Sequence, residues 1–300
     1  MFLWAPSVPN PYTILTHIPQ DAKFFSVVDL ANAFFSVPVA EESQYWLAFE
    51  FDGKGYAFRR LAQGLSEAPT KFHESLKRSL ESLKLSPGTA LLQYVDDLAL
   101  CARDEATCVA DTVTLLKLLA EEGHKVSLSK LQFVKQVTFL GHVITPNSKS
   151  LSDKRVQGIK DVPKPITKKQ MLSFLGMCSY CRTFIPNYAI CEQPLRSLTV
   201  GKGLKSTDKI EWTAEAEEAF VNMKIQLSQA PVLGLPNADK PFVQMVDEKN
   251  GFMTSVLLQH HGDKLRPVAY FSSKLDPVAA GLPLCLRAVA AQGNLWVILT

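Results

Sequence analysis

The chain has 300 residues, 47% of them hydrophobic, and a formal net charge of +3. This length allows two or three cores of ordinary domain size. No apolar run approaches the roughly 20 residues of a membrane span. We expect no signal peptide, because the amino terminus lacks a basic region and is interrupted by prolines. Six scattered cysteines indicate reduced thiols and a cytoplasmic or nuclear, intracellular setting: Cys101, Cys108, Cys178, Cys181, Cys191 and Cys285.

The segment up to about residue 145 alternates between predicted strands and helices, which is typical of an α+β layer. One predicted helix runs from Ser66 to Leu85, and a second from the cap residue Asp104 to Gly123. We expect the second helix to bury Val109, Val113, Leu116 and Leu119. The predicted strands are Phe24 to Asp29, Gln44 to Phe51, Tyr56 to Arg60, Val126 to Ser129 and Val137 to Ile144.

Between the two helices lies Tyr94-Val95-Asp96-Asp97, flanked by apolar runs that predict a tight β-hairpin with Asp96 and Asp97 as its polar break. Adjacent carboxylates on an apolar ribbon are unfavourable unless a cation neutralises them. Aspartate is also an ordinary turn residue, so this motif alone is weak evidence. A third acid, Asp29, ends another apolar strand, and together they predict a Mg²⁺ site for phosphoryl transfer.

Residues from about 146 to 240 are predicted to be helical, with Thr167 and Gln170 as a capping box and Thr213 as a second cap. Between Lys149 and Lys209 there are twelve Lys or Arg and four Asp or Glu, a local charge of +8. Such an excess beside an acidic segment suits a protein that binds a phosphate backbone, although a solvated surface is the usual explanation of a charge run.

From Pro241 onward the pattern predicts three strands, Phe242 to Val246, Phe252 to Gln259 and Arg266 to Phe271, followed by a helix from Pro283 to Ala291. Cys178 and Cys181 form a C-x-x-C pair within a helical pattern and without a second pair. We interpret both as buried packing residues rather than zinc or redox ligands.

Several motifs, read in order, resemble those of retroviral reverse transcriptases of the gammaretrovirus type. Tyr94-Val95-Asp96-Asp97 resembles the Y-x-D-D box, and Val28-Asp29-Leu30 with Ala33-Phe34-Phe35 resembles the first acidic motif. The likeness is collinear from Val8 to about Ala291 and suggests an endogenous retroviral Pol fragment. The other similar segments are Arg60-Leu61-Ala62-Gln63-Gly64 with Ala68-Pro69-Thr70, Phe139-Leu140-Gly141-His142, Phe174-Leu175-Gly176 and Asp247-Glu248-Lys249.

The resemblance implies an α+β fold built as a right-hand polymerase palm, with an antiparallel sheet and helices. It implies partial fingers and palm over 1–145, a helical thumb over 146–240, and a truncated, degenerate ribonuclease-H-like α/β connection domain over 241–300. The implied partners are deoxynucleoside triphosphates and an RNA or DNA template with its primer duplex, with no membrane involved; the oligomeric state stays open.

The resemblance also assigns roles to single residues. It implies that Asp29, Asp96 and Asp97 are catalytic carboxylates that bind two Mg²⁺ ions, with Mn²⁺ as a possible substitute. Lys130 falls near the position of a general acid for pyrophosphate, although a surface lysine is nearly as good an interpretation. The implied nucleotide-binding residues are Leu30 through its carbonyl, Phe34 as a steric gate, Gln63 and Tyr94.

The chain departs from the family pattern at several positions. Ala31-Asn32 stands where relatives usually carry a basic–acidic pair, and Ala68 replaces the usual serine before Pro69. Compared with the family, most of the fingers and the ribonuclease H domain are missing, so we expect weak or no synthesis by this piece. Two alternatives stay open: a non-catalytic nucleic-acid-binding remnant, and a ribonuclease H acting through Asp247.

Overall fold

A computed structural model describes residues 10–11, 13–201, 203, 205–283, 286–287 and 290. The chain divides into two compact units, residues 1–147 and 148–300. The division of the second unit into a thumb and a connection domain stays a prediction. Within the described residues, no helix is long and apolar enough to cross a bilayer.

The first unit is a four-stranded antiparallel sheet covered by two long helices. The strand order is β4-β5-β1-β6, so β1 and β5 lie in the middle of the sheet. A separate hairpin, β2–β3, turns at Asp52 and Gly53, both with positive φ. The elements are β1 Phe24–Asp29, α1 Glu41–Gln44, β2 Ala48–Phe51, β3 Lys54–Ala57, α2 Ala68–Leu80, β4 Ala90–Tyr94, β5 Asp97–Ala102, α3 Glu105–Glu121, β6 Gln132–Val134, β7 Val137–Phe139 and β8 His142–Thr145.

Strand β1 matches the sequence prediction over its whole length because its residues suit a central strand. Val28 and Phe25 are almost fully buried, and both α2 and α3 pack on the same face as Val28. Phe72 and Leu76 of α2 and Leu119 of α3 complete that core with no exposed surface. A central strand buried on both faces gives its terminal acid, Asp29, a fixed position.

Three sequence predictions need correction in this unit. Residues 41–47 form helical turns, so the strand predicted from Gln44 begins only at Ala48. Val126 to Ser129 is not a strand: Val126 forms a single bridge with Leu30, and a 3₁₀ turn, Leu128–Lys130, follows. The segment Val137 to Ile144 is two short strands, because Leu140 and Gly141 both adopt positive φ and reverse the chain.

The face of α3 also differs from the prediction. Asp104 caps the helix as expected, accepting a hydrogen bond from the Thr107 amide. Val109 and Val113 are exposed, however, because the buried stripe lies one residue away. Its members include a hydroxyl and a carboxylate, which hydrophobic periodicity does not count: Cys108, Asp111, Thr112, Leu115 and Leu119.

The second unit combines a helical cluster with a three-stranded antiparallel sheet. The predicted capping box of Thr167 and Gln170 and the Thr213 cap are both present. Cys178 and Cys181 are fully buried in the helical core, which confirms their packing role. The elements are β9 Ser148–Leu151, α4 Asp153–Lys160, α5 Lys168–Tyr180, α6 Tyr188–Ser197, α7 Ala214–Ser228, β10 Leu233–Gly234, β11 Phe242–Lys249, β12 Phe252–His261, β13 Lys264–Lys274 and α8 Pro277–Ala280.

The three-stranded sheet contains all three strands predicted from Phe242 onward, each somewhat longer than expected. Within the unit it contacts the helical cluster, since the Ala189 amide donates to Ser272 Oγ at 2.8 Å. The helix predicted from Pro283 to Ala291 falls largely outside the described residues. Asp247 lies on β11 and is exposed.

Candidate active site

The hairpin that carries the acidic pair is shifted by one residue from its predicted turn. Tyr94 of β4 pairs with Asp97 of β5, so the two turn residues are Val95 and Asp96. Val95 adopts φ 53°, a left-handed conformation that is costly for a β-branched side chain. Asp97 therefore belongs to the rigid end of a central strand, and only Asp96 lies in the turn.

The sheet brings the third acid to the same place. Strands β1 and β5 run antiparallel, and Asp29 is directly opposite Asp97. Side chains of directly paired residues project from the same face of a sheet, a few ångströms apart. The Leu30 amide also donates to the Asp96 carbonyl at 3.3 Å, which ties the residue after Asp29 to the turn. Asp29, Asp96 and Asp97 thus converge at one end of the palm sheet.

Lys130 joins this group from a separate loop. Its Nζ donates to Asp29 Oδ2 at 2.9 Å, although the lysine side chain itself is 65% exposed. The loop is held in place by Ser127, whose amide donates to the Asp29 carbonyl at 2.9 Å and whose carbonyl accepts from the Lys130 amide. Asp29 is therefore contacted through both its side chain and its backbone by the segment that carries Lys130.

The protonation of the acids reflects this crowding. Burial raises the pKa of Asp97 to about 6, assisted by the charges of Asp96 and Asp29 and by a hydrogen bond with the Asp29 side chain. Burial also raises the pKa of Asp96 above its ordinary value, with the Asp29 charge adding to the effect. The hydrogen bond and charge of Asp29 raise the pKa of Lys130, so this lysine is protonated at neutral pH.

The donor set suits a hard divalent cation. Carboxylate oxygens are the ligands that Mg²⁺ prefers, and a cation would offset the burial and the repulsion that raise these pKa values. Among the described residues, no group of three or more His, Cys, Asp or Glu side chains is placed so that it could hold a metal ion as it stands, so the acids would have to adjust to bind one. The Lys130 ammonium occupies one Asp29 oxygen, and it would have to yield that oxygen to a metal ion.

The four predicted nucleotide-binding residues are placed less uniformly. Leu30 is buried beside Asp29, and Tyr94 is paired with Asp97. Phe34 packs on the palm core, with its ring centroid 5.4 Å from that of Phe72. Gln63 lies in an exposed turn before Gly64, whose φ is 92°. The structure thus gathers Leu30 and Tyr94 directly around the acids, whereas Gln63 belongs to a separate turn.

Two family models match this chain. The model described as "Reverse transcriptase (RNA-dependent DNA polymerase)" matches residues 4–144, and the one described as "RNase H-like domain found in reverse transcriptase" matches residues 212–291. The Gag-Pol polyprotein of avian reticuloendotheliosis virus is 46% identical over 298 residues, which cover 97% of this chain and 26% of that protein. The Pol polyprotein of feline endogenous virus ECE1 is 39% identical, with 97% of this chain and 28% of that protein covered.

The fold also matches solved structures. The foamy viral protease-reverse transcriptase dRH in complex with double-stranded DNA aligns with a TM-score of 0.83 and 25% identity, covering 99% of this chain and 51% of that one. The foamy viral protease-reverse transcriptase in complex with RNA/DNA hybrid aligns with a TM-score of 0.82 and 25% identity, covering 99% of this chain and 39% of that one. The chain spans about a quarter of the length of the viral polyproteins that it matches, and it belongs to the reverse transcriptase family of retroviral Pol proteins.

Proposed function

We propose that the first unit is the catalytic part of an RNA-directed and DNA-directed DNA polymerase, which adds deoxynucleotides to a primer 3′-hydroxyl. The observation that carries the proposal is the convergence of Asp29 and Asp97 from two central strands and Asp96 from the adjoining turn, with Lys130 hydrogen-bonded to Asp29. An ion pair that served only to stabilise the fold would need a single acid beside Lys130. Three partly buried acids at one end of a sheet repel one another and need a positively charged ligand.

Asp29 and Asp96 would hold two Mg²⁺ ions, or Mn²⁺, with Asp97 and the Leu30 carbonyl nearby. Bound metal would activate the primer hydroxyl and neutralise the charge on the triphosphate. Lys130 Nζ then serves as the proton donor to the leaving pyrophosphate, since it is protonated and linked to Asp29.

The remaining residues of the site select and orient the nucleotide. The Phe34 ring, fixed against Phe72, excludes a ribose 2′-hydroxyl and so favours deoxynucleotides. Gln63 contacts the nucleotide or template from its turn, and the Tyr94 hydroxyl lies near the primer terminus. These three roles, with that of Leu30, rest on the family motif, and those of Leu30 and Tyr94 also on their placement beside the acids.

The partner in this proposal is a template–primer duplex, held without sequence readout by the basic segment from 149 to 209. The two solved relatives are complexes with double-stranded DNA and with an RNA/DNA hybrid, which supports this class of partner. Affinity should fall steeply as salt rises, and a flat salt dependence would contradict a phosphate-backbone role.

Primer extension on poly(rA)/oligo(dT), with Mg²⁺ and with Mn²⁺, tests the activity. We expect slow synthesis that Asp96→Asn abolishes while duplex affinity barely changes, with Asp247→Asn as the matched carboxylate control. Synthesis that survives Asp96→Asn would overturn the proposal. Duplex binding with no synthesis in any condition would favour a non-catalytic remnant, and Asp247-dependent cleavage of the RNA strand of a hybrid would favour a ribonuclease.

A further inference from the structure

A cavity of about 230 Å³ lies in the second unit, between the loop before α6 and one face of the three-stranded sheet. Pro186 and Asn187 line it from the loop, and residues of β11, β12 and β13 line it from the sheet. Its volume is below the roughly 300 Å³ of the smallest drug-sized sites. The cavity therefore has room for a small ligand or for one long side chain.

Two rows of paired residues form the floor of the cavity. Met245 of β11 is opposite Val256 of β12, which is in turn opposite Tyr270 of β13. Asp247 is opposite Thr254, and this second pair lies two residues along the strands from the first row, so it projects from the same face of the sheet. The floor thus combines an apolar row with a carboxylate beside it.

The start of α6 is attached to the same face of the sheet. Ser272 is opposite Thr254 and so continues the row of Asp247, and Ser272 Oγ accepts a hydrogen bond from the Ala189 amide at 2.8 Å. Asn187, immediately before the helix, adopts φ 58° and turns the chain into it. Strand pairing and this hydrogen bond hold the two sides of the cavity together, so it does not need a ligand to form.

Asp247 is the only charged residue among the described residues that line the cavity. Its Oδ1 accepts a hydrogen bond from the Glu248 amide at 2.9 Å, which restricts the orientation of the carboxylate. No lysine or arginine in the described part of the chain forms an ion pair with it. The carboxylate can therefore accept further hydrogen bonds from a ligand in the cavity.

The lining determines which ligand charge is favourable. A carboxylate that no basic residue neutralises repels phosphate groups, which disfavours the backbone of a nucleic acid here. A single carboxylate also provides few of the oxygen ligands that a divalent cation needs. Met245 is 58% exposed and offers, with the Tyr270 ring, an apolar surface for an aliphatic stem. A guanidinium group suits the polar side, because it stacks on aromatic rings and donates two parallel hydrogen bonds to a carboxylate.

We propose that this cavity binds an organic guanidinium cation carried on a short aliphatic stem, with the cation on Asp247 and the stem along Met245 and Tyr270. A free alkylguanidine and the arginine side chain of a peptide share this chemistry. The site lies in the second unit and does not depend on the proposed polymerase activity. Asp247→Asn should accordingly weaken binding in this cavity while leaving DNA synthesis unchanged.

Nuclear magnetic resonance of the whole chain, labelled at the methionine methyl groups, tests the site with n-butylguanidinium as the probe and without nucleic acid. Met245→Leu identifies the Met245 signal. We expect a saturable shift of this signal, with a dissociation constant about tenfold larger in Asp247→Asn, the effect of one charge-assisted hydrogen bond. Asparagine keeps an acceptor for the Glu248 amide, and thermal unfolding verifies that the variant is folded. Asp263→Asn, which removes an exposed carboxylate of the β12–β13 turn outside the cavity lining, should leave the affinity unchanged.

Matched ligands separate the charge from the stem. n-Butanol lacks the charge and the guanidinium ion lacks the stem, so each should bind at least about tenfold more weakly than n-butylguanidinium. A capped peptide with one arginine distinguishes the sources: tighter binding than the free probe assigns the site to a peptide partner, and equal or weaker binding assigns it to a free small cation. Wild-type affinity in Asp247→Asn, equal binding of n-butanol, or the absence of a saturable shift overturns the proposal.

Discussion

Asp29 and Asp97 are directly opposite each other on the two central strands of the palm sheet. The pairing forces two carboxylates to share one partly buried environment, with Asp96 in the adjoining turn. Burial, with the repulsion among them, raises the pKa values of Asp96 and Asp97, and the nearby charge of Lys130 partly offsets the rise. A bound cation should therefore raise the free energy of unfolding of the first unit.

The pKa of Asp97 predicts a distinctive pH dependence of stability. Because its pKa is about 6 in the folded chain and near 3.8 otherwise, the folded state binds the proton more tightly. The free energy of unfolding should thus fall as pH rises from 3.8 to 6, by on the order of 1 to 2 kcal/mol for this partly exposed group. In urea unfolding with EDTA, Asp97→Asn should be more stable than the wild type at pH 8 and equal to it at pH 3.5. Parallel curves for the two proteins would contradict the assignment.

Lys130 is expected to compete with metal for Asp29. Lys130→Gln frees Asp29 Oδ2, so Mn²⁺ should bind more tightly to the chain without nucleotide, as measured by electron paramagnetic resonance. If the chain catalyses DNA synthesis, the same change should lower kcat about 100-fold through loss of the proposed proton donor. Lys117→Gln is the control for a lost surface charge. Unchanged Mn²⁺ affinity would show that the Lys130–Asp29 contact does not restrict the metal site.

Lys149 is expected to destabilise the second unit. Its side chain is buried on β9, and burial lowers its pKa to about 8; among the described residues its ammonium contacts only the Phe184 ring, 5.9 Å from the centroid. The cost is fully present below pH 8 and disappears as pH rises towards 10.5. Lys149→Met should therefore raise the free energy of unfolding at pH 7 by on the order of 1 to 3 kcal/mol, and by less at pH 10.

A matched change elsewhere in the basic segment serves as the control for Lys149. Lys169→Met removes an exposed charge of the same kind and should leave stability within about 0.5 kcal/mol of the wild type. Loss of stability in Lys149→Met would show that the ammonium has a favourable partner. Because Lys149 is buried, it should also contribute little to the salt dependence of duplex binding.

We expect the hydrogen bonds of Asp111 to contribute substantially to the stability of the first unit. This buried carboxylate on α3 accepts hydrogen bonds from the Ser86 amide at 3.1 Å and from Ser86 Oγ at 2.9 Å. Asp111→Ala leaves both donors unpaired and should cost on the order of 2 kcal/mol in chemical denaturation. Asp111→Asn retains an acceptor and should cost less; equal losses in the two variants would point to packing instead.

Sequence reasoning located the acids well because they follow strong local signals. Phe24 to Asp29 is a run of strand formers, and two apolar runs around a short break predict a hairpin. The turn nevertheless lies at Val95 and Asp96, since the paired register of β4 and β5, and not residue polarity, decides which residues reverse the chain. Register depends on partners distant in the sequence, which a local pattern does not contain.

Contacts between distant segments explain the other differences. The Lys130–Asp29 ion pair joins residues 101 positions apart, and only the family resemblance pointed to Lys130. The burial of Asp111 depends on Ser86, 25 residues away, so hydrophobic periodicity placed the inner face of α3 on Val109 and Val113 instead. A spacing pattern can identify a helix, but its polar partners determine which side of it turns inward.

The β2–β3 hairpin has a practical consequence. Both of its strands are exposed along their whole length, and Phe49, Phe51 and Tyr56 present their rings to solvent. A hairpin with exposed aromatic side chains and exposed strand edges promotes aggregation. Purified material should bind a dye such as anilinonaphthalene sulfonate in its native state and lose solubility on concentration. Charged replacements at Phe51 should improve recovery without altering the arrangement of Asp29, Asp96 and Asp97.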